Sequence, residues 1–241
     1  MVSLIIPAYN EEKEIGRTLT CCKEYLSHYL PNHQLIVVDD GSTDHTLEEI
    51  QCVKGIHILS YPQNRGKGYA VRQGMRLAGG EAVFFTDADL PYRLEHLLSA
   101  VQLIEKGADV VIGCRDQARE GYPLIRKFLS RGCQTLSAWV LQSDSYDTQC
   151  GFKGVSRRVA RELLPLAQID DFGFDIELLY LAEKYGLNIK SIPVVMSQQR
   201  RDTHVHYLSD SYKIAKDMLK IRRLDKEDRY YTFSLRTEGR G

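Results

Sequence analysis

Two carboxylates one residue apart follow an apolar stretch in Phe84-Phe85-Thr86-Asp87-Ala88-Asp89. Like charges this close are costly unless a cation joins them, and their hard oxygen donors suit Mg²⁺ or Mn²⁺, which commonly bridges one or two carboxylates to substrate phosphates. An ion held by Asp87 and Asp89 would neutralise a departing diphosphate. An isolated Asp-x-Asp is as often a solvated turn at a strand end, so its context decides. Three polar clusters precede it: Pro7-Ala8-Tyr9-Asn10-Glu11-Glu12, Asp39-Asp40-Gly41-Ser42-Thr43-Asp44 and Asn64-Arg65-Gly66-Lys67-Gly68. Asp39 or Asp40 can accept hydrogen bonds from ring N–H or hydroxyl groups, and Tyr9 offers a face for stacking. Asp40-Gly41-Ser42 also reads as a turn with a helix cap, and both readings can hold.

These clusters fall where short β-branched runs end. Strands are expected at 2–7, 35–39, 56–60, 82–86 and 110–113, with helical periodicity at 12–28, 44–53, 67–77 and 94–106. Ser42 or Thr43 is placed to cap the second helix, and Gly79-Gly80 to stop the third. Such alternation predicts an α/β protein with a mostly parallel central sheet flanked by helices. In open sheets of this kind ligands bind beyond the carboxyl ends of the strands, where the four polar loops converge.

After Arg115 the alternation loosens. Residues 124–141 carry Ile125, Phe128, Leu129, Leu136, Trp139 and Val140 at near-helical spacing among Arg126, Lys127 and Arg131, an amphipathic basic helix. A helix at 174–185, a strand at 188–195 and a helix at 207–223 follow. With 241 residues, 43% hydrophobic and 27% charged, and no Gly/Pro/Ser-rich linker or internal repeat, the chain reads as one domain over 1–225 with a tail at 226–241. The regular alternation would make up one half, 1–114, and the looser remainder the other, 115–225.

The 32 basic and 32 acidic side chains cancel, which argues against nucleic-acid binding by bulk electrostatics. Lys and Arg nevertheless outnumber acids between Arg115 and Arg161 and again after Arg200, so an anionic partner would meet the second half. The six cysteines form no Cys-x-x-Cys pair, the N-terminus lacks the order of a signal peptide, and no apolar run approaches the roughly 20 residues of a membrane span. A cytoplasmic chain with free thiols is expected.

Taken in order, the Pro7–Glu12, Asp39–Asp44, Asn64–Gly68 and Asp87–Asp89 motifs resemble the nucleotide-sugar half of family 2 glycosyltransferases. The resemblance implies a GT-A fold with a Rossmann-like half, a nucleotide-sugar donor and inversion at the anomeric carbon. It implies that Pro7, Ala8, Tyr9, Glu11, Asp39 and Asp40 hold the base and ribose, with Lys67 near the base wall. Asp87, Ala88 and Asp89 would lie at the diphosphate and at Mg²⁺ or Mn²⁺. Asp147-Thr148-Gln149-Cys150-Gly151-Phe152-Lys153 and Phe174-Asp175-Ile176-Glu177-Leu178-Leu179-Tyr180 look like the polyprenyl-phosphate hexosyltransferases of the dolichyl-phosphate β-glucosyltransferase type. UDP-glucose is then the implied donor, with GDP-mannose the alternative.

A lipid monophosphate, with a second pKa of about 6, is already an anionic nucleophile at neutral pH, so guanidinium forks would replace a general base. By the resemblance, Arg115, Arg126 and Ser130 hold that phosphate. Asp147 would orient the donor sugar or an arginine, and Arg201, beside Arg200, would close over the diphosphate. Pro91 stands where some mannosyl relatives place a Gln ligand, so a third protein ligand is missing or comes from elsewhere. His204 and His206 do not suggest zinc. The apolar faces of 124–141 and 207–223 suit either the core or peripheral contact with the cytoplasmic membrane face. A membrane-anchoring subunit or a second copy of the chain is compatible with this reading. Rivals are transfer to a non-lipid acceptor and a non-catalytic nucleotide-sugar-binding subunit.

Overall fold

The computed structural model describes residues 1–115, 147, 150–197 and 207–231, with backbone alone for 207–212. Seven strands form one sheet: β1 (Val2–Ala8), β2 (His33–Asp39), β3 (His57–Ser60), β4 (Ala82–Phe85), β5 (Val110–Arg115), β6 (Lys153–Ser156) and β7 (Ile189–Val194), in the order β3-β2-β1-β4-β6-β5-β7. All pairs are parallel except those of β6, which runs antiparallel to both β4 and β5. The helices are α1 (Ile15–Tyr29), α2 (Thr46–Cys52), α3 (Lys67–Leu77), α4 (His96–Glu105), α5 (Phe174–Lys184) and α6 (Tyr207–Lys226), with a π turn at Val159–Leu163 and a 3₁₀ turn at Leu164–Leu166.

The strands are apolar at nearly every position because helices cover both faces. Along β1, Leu4 and Ile6 join Leu35, Val37 and Phe84 in a core that includes residues of α1, α2 and α4. The intervening Ile5 joins Ile36, Val38 and Phe85 in a second core with residues of α3, α5 and α6. This two-residue alternation sorts one strand between two cores.

β1 lies between β2 and β4, so the chain leaves β1 to one side and returns at β4 on the other. That reversal opens a crevice above the carboxyl ends of β1 and β4. Pro7 fits this central strand because pairing with β4 stops at Ile5↔Phe85; Thr86 N–H donates to Ile5 O at 3.1 Å, and the Pro7 nitrogen faces the same side, beyond the ladder.

Two sequence expectations change. Ser42 and Thr43 cap no helix: Ser42 Oγ accepts from Asn10 N–H at 3.0 Å, and Asn10 Oδ1 accepts from Thr43 N–H at 2.8 Å. Asp44 instead accepts from Thr46 N–H at 3.0 Å, at the start of α2. Packing also continues past residue 226, where a tail was expected. Tyr230 is fully buried, and its hydroxyl donates to Glu177 at 2.5 Å. The basic segment 124–141 lies outside the described residues.

Candidate active site

The Asp-x-Asp loop is fixed from several sides. Thr18 of α1 donates to Ala88 O at 2.6 Å, and Leu90 takes a left-handed φ of 42° while its N–H donates to Asp87 O at 3.1 Å, turning the chain back sharply. Gly151 makes room for the first acid, since a Cβ there would stand 2.0 Å from Asp87 Oδ2. Just beyond, Tyr92 bridges to Met196, and Ser197 N–H donates to Pro91 O at 2.9 Å.

Three carboxyls share this crevice. Burial first, then the charges of Asp89 and Asp87, push the Glu11 carboxyl up from 4.5 to about 7. Glu11, assigned by resemblance to the base and ribose, thus lies within the field of the Asp-x-Asp pair. Among the described residues no three His, Cys, Asp or Glu side chains form a ready-made metal cage. A hard cation that completes its shell with substrate phosphate and water fits this open, oxygen-only set, since the repulsion raising Glu11 is what such an ion would relieve.

The sign of the Glu11 shift gives a prediction. A carboxyl whose folded pKa lies above its unfolded value costs stability when ionised; the cost is absent below pH 4.5 and complete above about 7. In metal-free protein, Glu11→Gln is expected to stabilise by about 1 kcal/mol at pH 8, since solvent reaches this partly buried carboxyl and screens its neighbours. Urea unfolding at pH 8 and 4.5 checks it, and an equal difference at the two pH values would refute it.

Lys67 opens α3 and reaches the same loop: its ammonium lies 2.7 Å from Asp87 Oδ1 and 3.5 Å from Asp175 Oδ2. It is therefore engaged with the Asp-x-Asp loop; the resemblance implied a place near the base wall. Burial works against this charge, but Asp175 and then Asp87 outweigh it and hold Lys67 protonated.

The first two loops are laced together. Besides the Asn10 contacts, Glu11 N–H donates to Thr46 Oγ1 at 2.7 Å and His45 N–H to Glu12 Oε2 at 3.1 Å. Asp39 and Asp40 are both buried and already engaged. Asp39 accepts from Ser42 N–H at 3.1 Å and Ser60 Oγ at 2.8 Å. Asp40 accepts from Tyr61 Oη at 2.7 Å and from the backbone N–H groups of Arg65 at 2.9 Å and Gly66 at 2.8 Å. Asp39 ties the Ser42 turn to β3 and Asp40 holds the Asn64–Gly68 loop, so a donor base could use only their remaining lone pairs. Ala8 is buried within β1 and its carbonyl accepts from Asp40 N–H, while Tyr9, 43% exposed, leaves its ring available for stacking.

Gly66 has φ +97°, and a Cβ there would lie 2.4 Å from Asp170 O. Gly66→Ala is expected to cost about 2–4 kcal/mol through backbone strain and this clash. A loss below about 1 kcal/mol in urea unfolding would show that the loop can shift.

At the end of β5, Arg115 grips Asp147 bidentately, Nε to Oδ2 at 2.6 Å and Nη2 to Oδ1 at 2.7 Å, and its backbone N–H adds a third bond at 3.2 Å. Burial would raise the Asp147 carboxyl, yet the Arg115 bonds outweigh it and hold it below the usual range. Only two of the five guanidinium donors are spent in this pair. Tyr92 and Cys150 stand beside it: burial, then the neighbouring Cys150 thiol, push the Tyr92 phenol up.

Two residues absent from the sequence-derived site, Lys153 and Asp175, lie behind Lys67 and support it. Lys153 is completely buried, with its ammonium 2.9 Å from Asp175 Oδ1 and donating to Cys150 O at 2.5 Å. The available signal was the pairing of a Lys in one motif with an Asp in another, but the sequence does not show that β6 enters the sheet from the crevice side. Arg126, Ser130, Arg200, Arg201, His204 and His206 lie outside the described residues.

The family model for glycosyl transferase family 2 matches residues 3–164. The chain belongs to this family. Among curated relatives it is 30% identical to the dolichyl-phosphate beta-glucosyltransferase of Dictyostelium discoideum, covering 92% of this chain and 73% of the relative. It is 32% identical to the enzyme of that name from Saccharomyces cerevisiae, covering 92% and 74%. Among solved structures it is similar to glucosyl-3-phosphoglycerate synthase from Mycobacterium tuberculosis in complex with UDP, with a TM-score of 0.70 and 23% identity over 92% of this chain and 79% of the other. The same synthase has been crystallised with Mn²⁺, UDP-glucose and phosphoglyceric acid, with a TM-score of 0.67 and 22% identity over the same shares. This family 2 glycosyltransferase has the GT-A fold, in the form of a seven-stranded, mostly parallel sheet.

Proposed function

We propose that this family 2 glycosyltransferase moves glucose from UDP-glucose, with inversion, onto a dolichyl or other polyprenyl phosphate at the cytoplasmic face of a membrane. The observation that supports it most is the likeness to dolichyl-phosphate beta-glucosyltransferases over 92% of the chain. The geometry agrees in kind, since an acidic crevice suited to a metal diphosphate adjoins a guanidinium held rigid by Asp147. None of the described helices is long and apolar enough to cross a membrane.

In this reading Tyr9 stacks on the base, with the Asp39 and Asp40 loops shaping its pocket. Asp87 and Asp89, with Glu11 close by, would hold Mg²⁺ or Mn²⁺, which when bound supplies positive charge to the diphosphate. Lys67 adds a fixed cation on the same side. Arg115, with Arg126 and Ser130, orients the acceptor phosphate, whose oxygen is already anionic and attacks the anomeric carbon in line through an oxocarbenium-like transition state. Arg201 screens the leaving diphosphate. The unit of function is one domain whose donor half spans 1–114 and whose acceptor half follows it.

The test is transfer from radiolabelled UDP-glucose, beside GDP-mannose, to short polyprenyl phosphate with Mg²⁺ or Mn²⁺. Label extracted into organic solvent from UDP-glucose is the expected result. Label from GDP-mannose alone would overturn the sugar, and free glucose without lipid product would overturn the acceptor. Neither transfer nor hydrolysis would favour a non-catalytic nucleotide-sugar-binding subunit.

A further inference from the structure

Four charged groups run in alternating sign from the crevice into the core: Asp87, Lys67, Asp175 and Lys153. Their spacings are unequal. Lys67 lies 2.7 Å from Asp87 and 3.5 Å from Asp175, whereas Lys153 lies 2.9 Å from Asp175. Each lysine thus has a different close acid, and Asp175 gives its nearer contact to the deeper cation. Lys153 has little freedom to do otherwise. β6 pairs it with Phe85 on one side and Ile112 on the other, its side chain is fully enclosed, and Cys150 O holds the ammonium from the opposite end.

We propose that Lys153 is a positioning residue: by neutralising Asp175 it allows the Lys67 ammonium to stand on the Asp-x-Asp loop. A buried carboxylate demands a counter-charge. With Lys153 in place, Asp175 is satisfied from behind, and the charge of Lys67 is projected towards Asp87 and the space a donor diphosphate would take. Without Lys153, the nearest cation able to answer Asp175 is Lys67, which would close its 3.5 Å separation at the expense of Asp87. The consequence for donor binding rests on the function proposed above; the competition for Lys67 does not.

The experiment compares unaltered protein, Lys153→Met and the double variant Lys153→Met/Asp175→Asn. Ligand-free crystal structures give the Lys67–Asp87 separation, and calorimetric titration with UDP and Mn²⁺ gives affinity. In the single variant Lys67 is expected to leave Asp87 for Asp175, and UDP affinity to fall about tenfold or more. In the double variant, where both members of a buried pair become neutral, Lys67 is expected back on Asp87 with affinity within about threefold of the unaltered protein. That rescue separates charge competition from a loss of packing, which the second substitution would not repair.

Lys67 remaining on Asp87 in the single variant overturns the proposal, and so does a folded double variant in which Lys67 stays away. Where the single variant does not fold, the double variant decides alone: Lys67 on Asp87 supports the proposal, and its departure shows that Asp175 is needed to hold it. Failure of the unaltered protein to bind UDP would count against the donor reading, while the Lys67 position would still decide this one.

Discussion

Asp89→Ala is expected to lower glucosyl transfer at least a hundredfold, about 2.7 kcal/mol of transition-state stabilisation, while leaving the fold intact. The side chain is exposed at the crevice mouth, so its removal opens no cavity, whereas the buried Ala88 beside it anchors the loop to Thr18. The measurement is kcat with saturating donor and metal, alongside the thermal unfolding midpoint. Turnover unchanged within about threefold would remove the Asp-x-Asp pair from the proposed chemistry.

Arg115→Ala should lower stability by about 3–5 kcal/mol, because it strands the largely buried Asp147 carboxylate without its bidentate partner. The penalty has a pH signature. Asp147 is held below its ordinary pKa, so the stability it contributes is present above the unfolded carboxylate range and is lost as pH falls through the folded value. The gap between unaltered and Arg115→Ala protein should therefore narrow in acid. Urea unfolding at pH 7 and pH 3 gives both numbers; a gap under about 1 kcal/mol at pH 7 would show the pair to be a surface contact in energetic terms.

Much of residues 1–115 was legible because local and global signals coincide there. α3 occupies the residues its periodicity indicated, Lys67–Leu77, and the five early strands lie where β-branched runs ended in polar loops. The convergence of Glu11 with Asp87 and Asp89 needed one further fact, the reversal of strand order at β1. What was not legible depends on packing between distant segments. β6 is only Lys153–Ser156, with a Gly and a Ser and no alternation to betray it; it exists because β4 and β5 both offer it an edge. Even its Gly154 is set from elsewhere, by the Phe84 ring, which a Cβ would meet at 2.0 Å. In sequence Lys153 therefore reads only as the last residue of its motif, with nothing to reveal its burial. Asp40 shows the same limit: its motif suggests a ligand contact, and its side chain is largely occupied in holding the Asn64–Gly68 loop.

The late insertion of β6 between two earlier strands bears on how the chain emerges during synthesis. β4 and β5 are both complete by Arg115, yet the strand that joins them begins at Lys153, a delay of a few seconds at roughly 5–20 residues per second. A chain that forms β4 before residue 153 emerges would present, through that interval, an unpaired strand edge with Phe84 on one face and Phe85 on the other, next to the crevice. Such an edge is the template for pairing with a neighbouring nascent chain. The strand that carries Lys153 into the site is thus also the seal that ends this exposure.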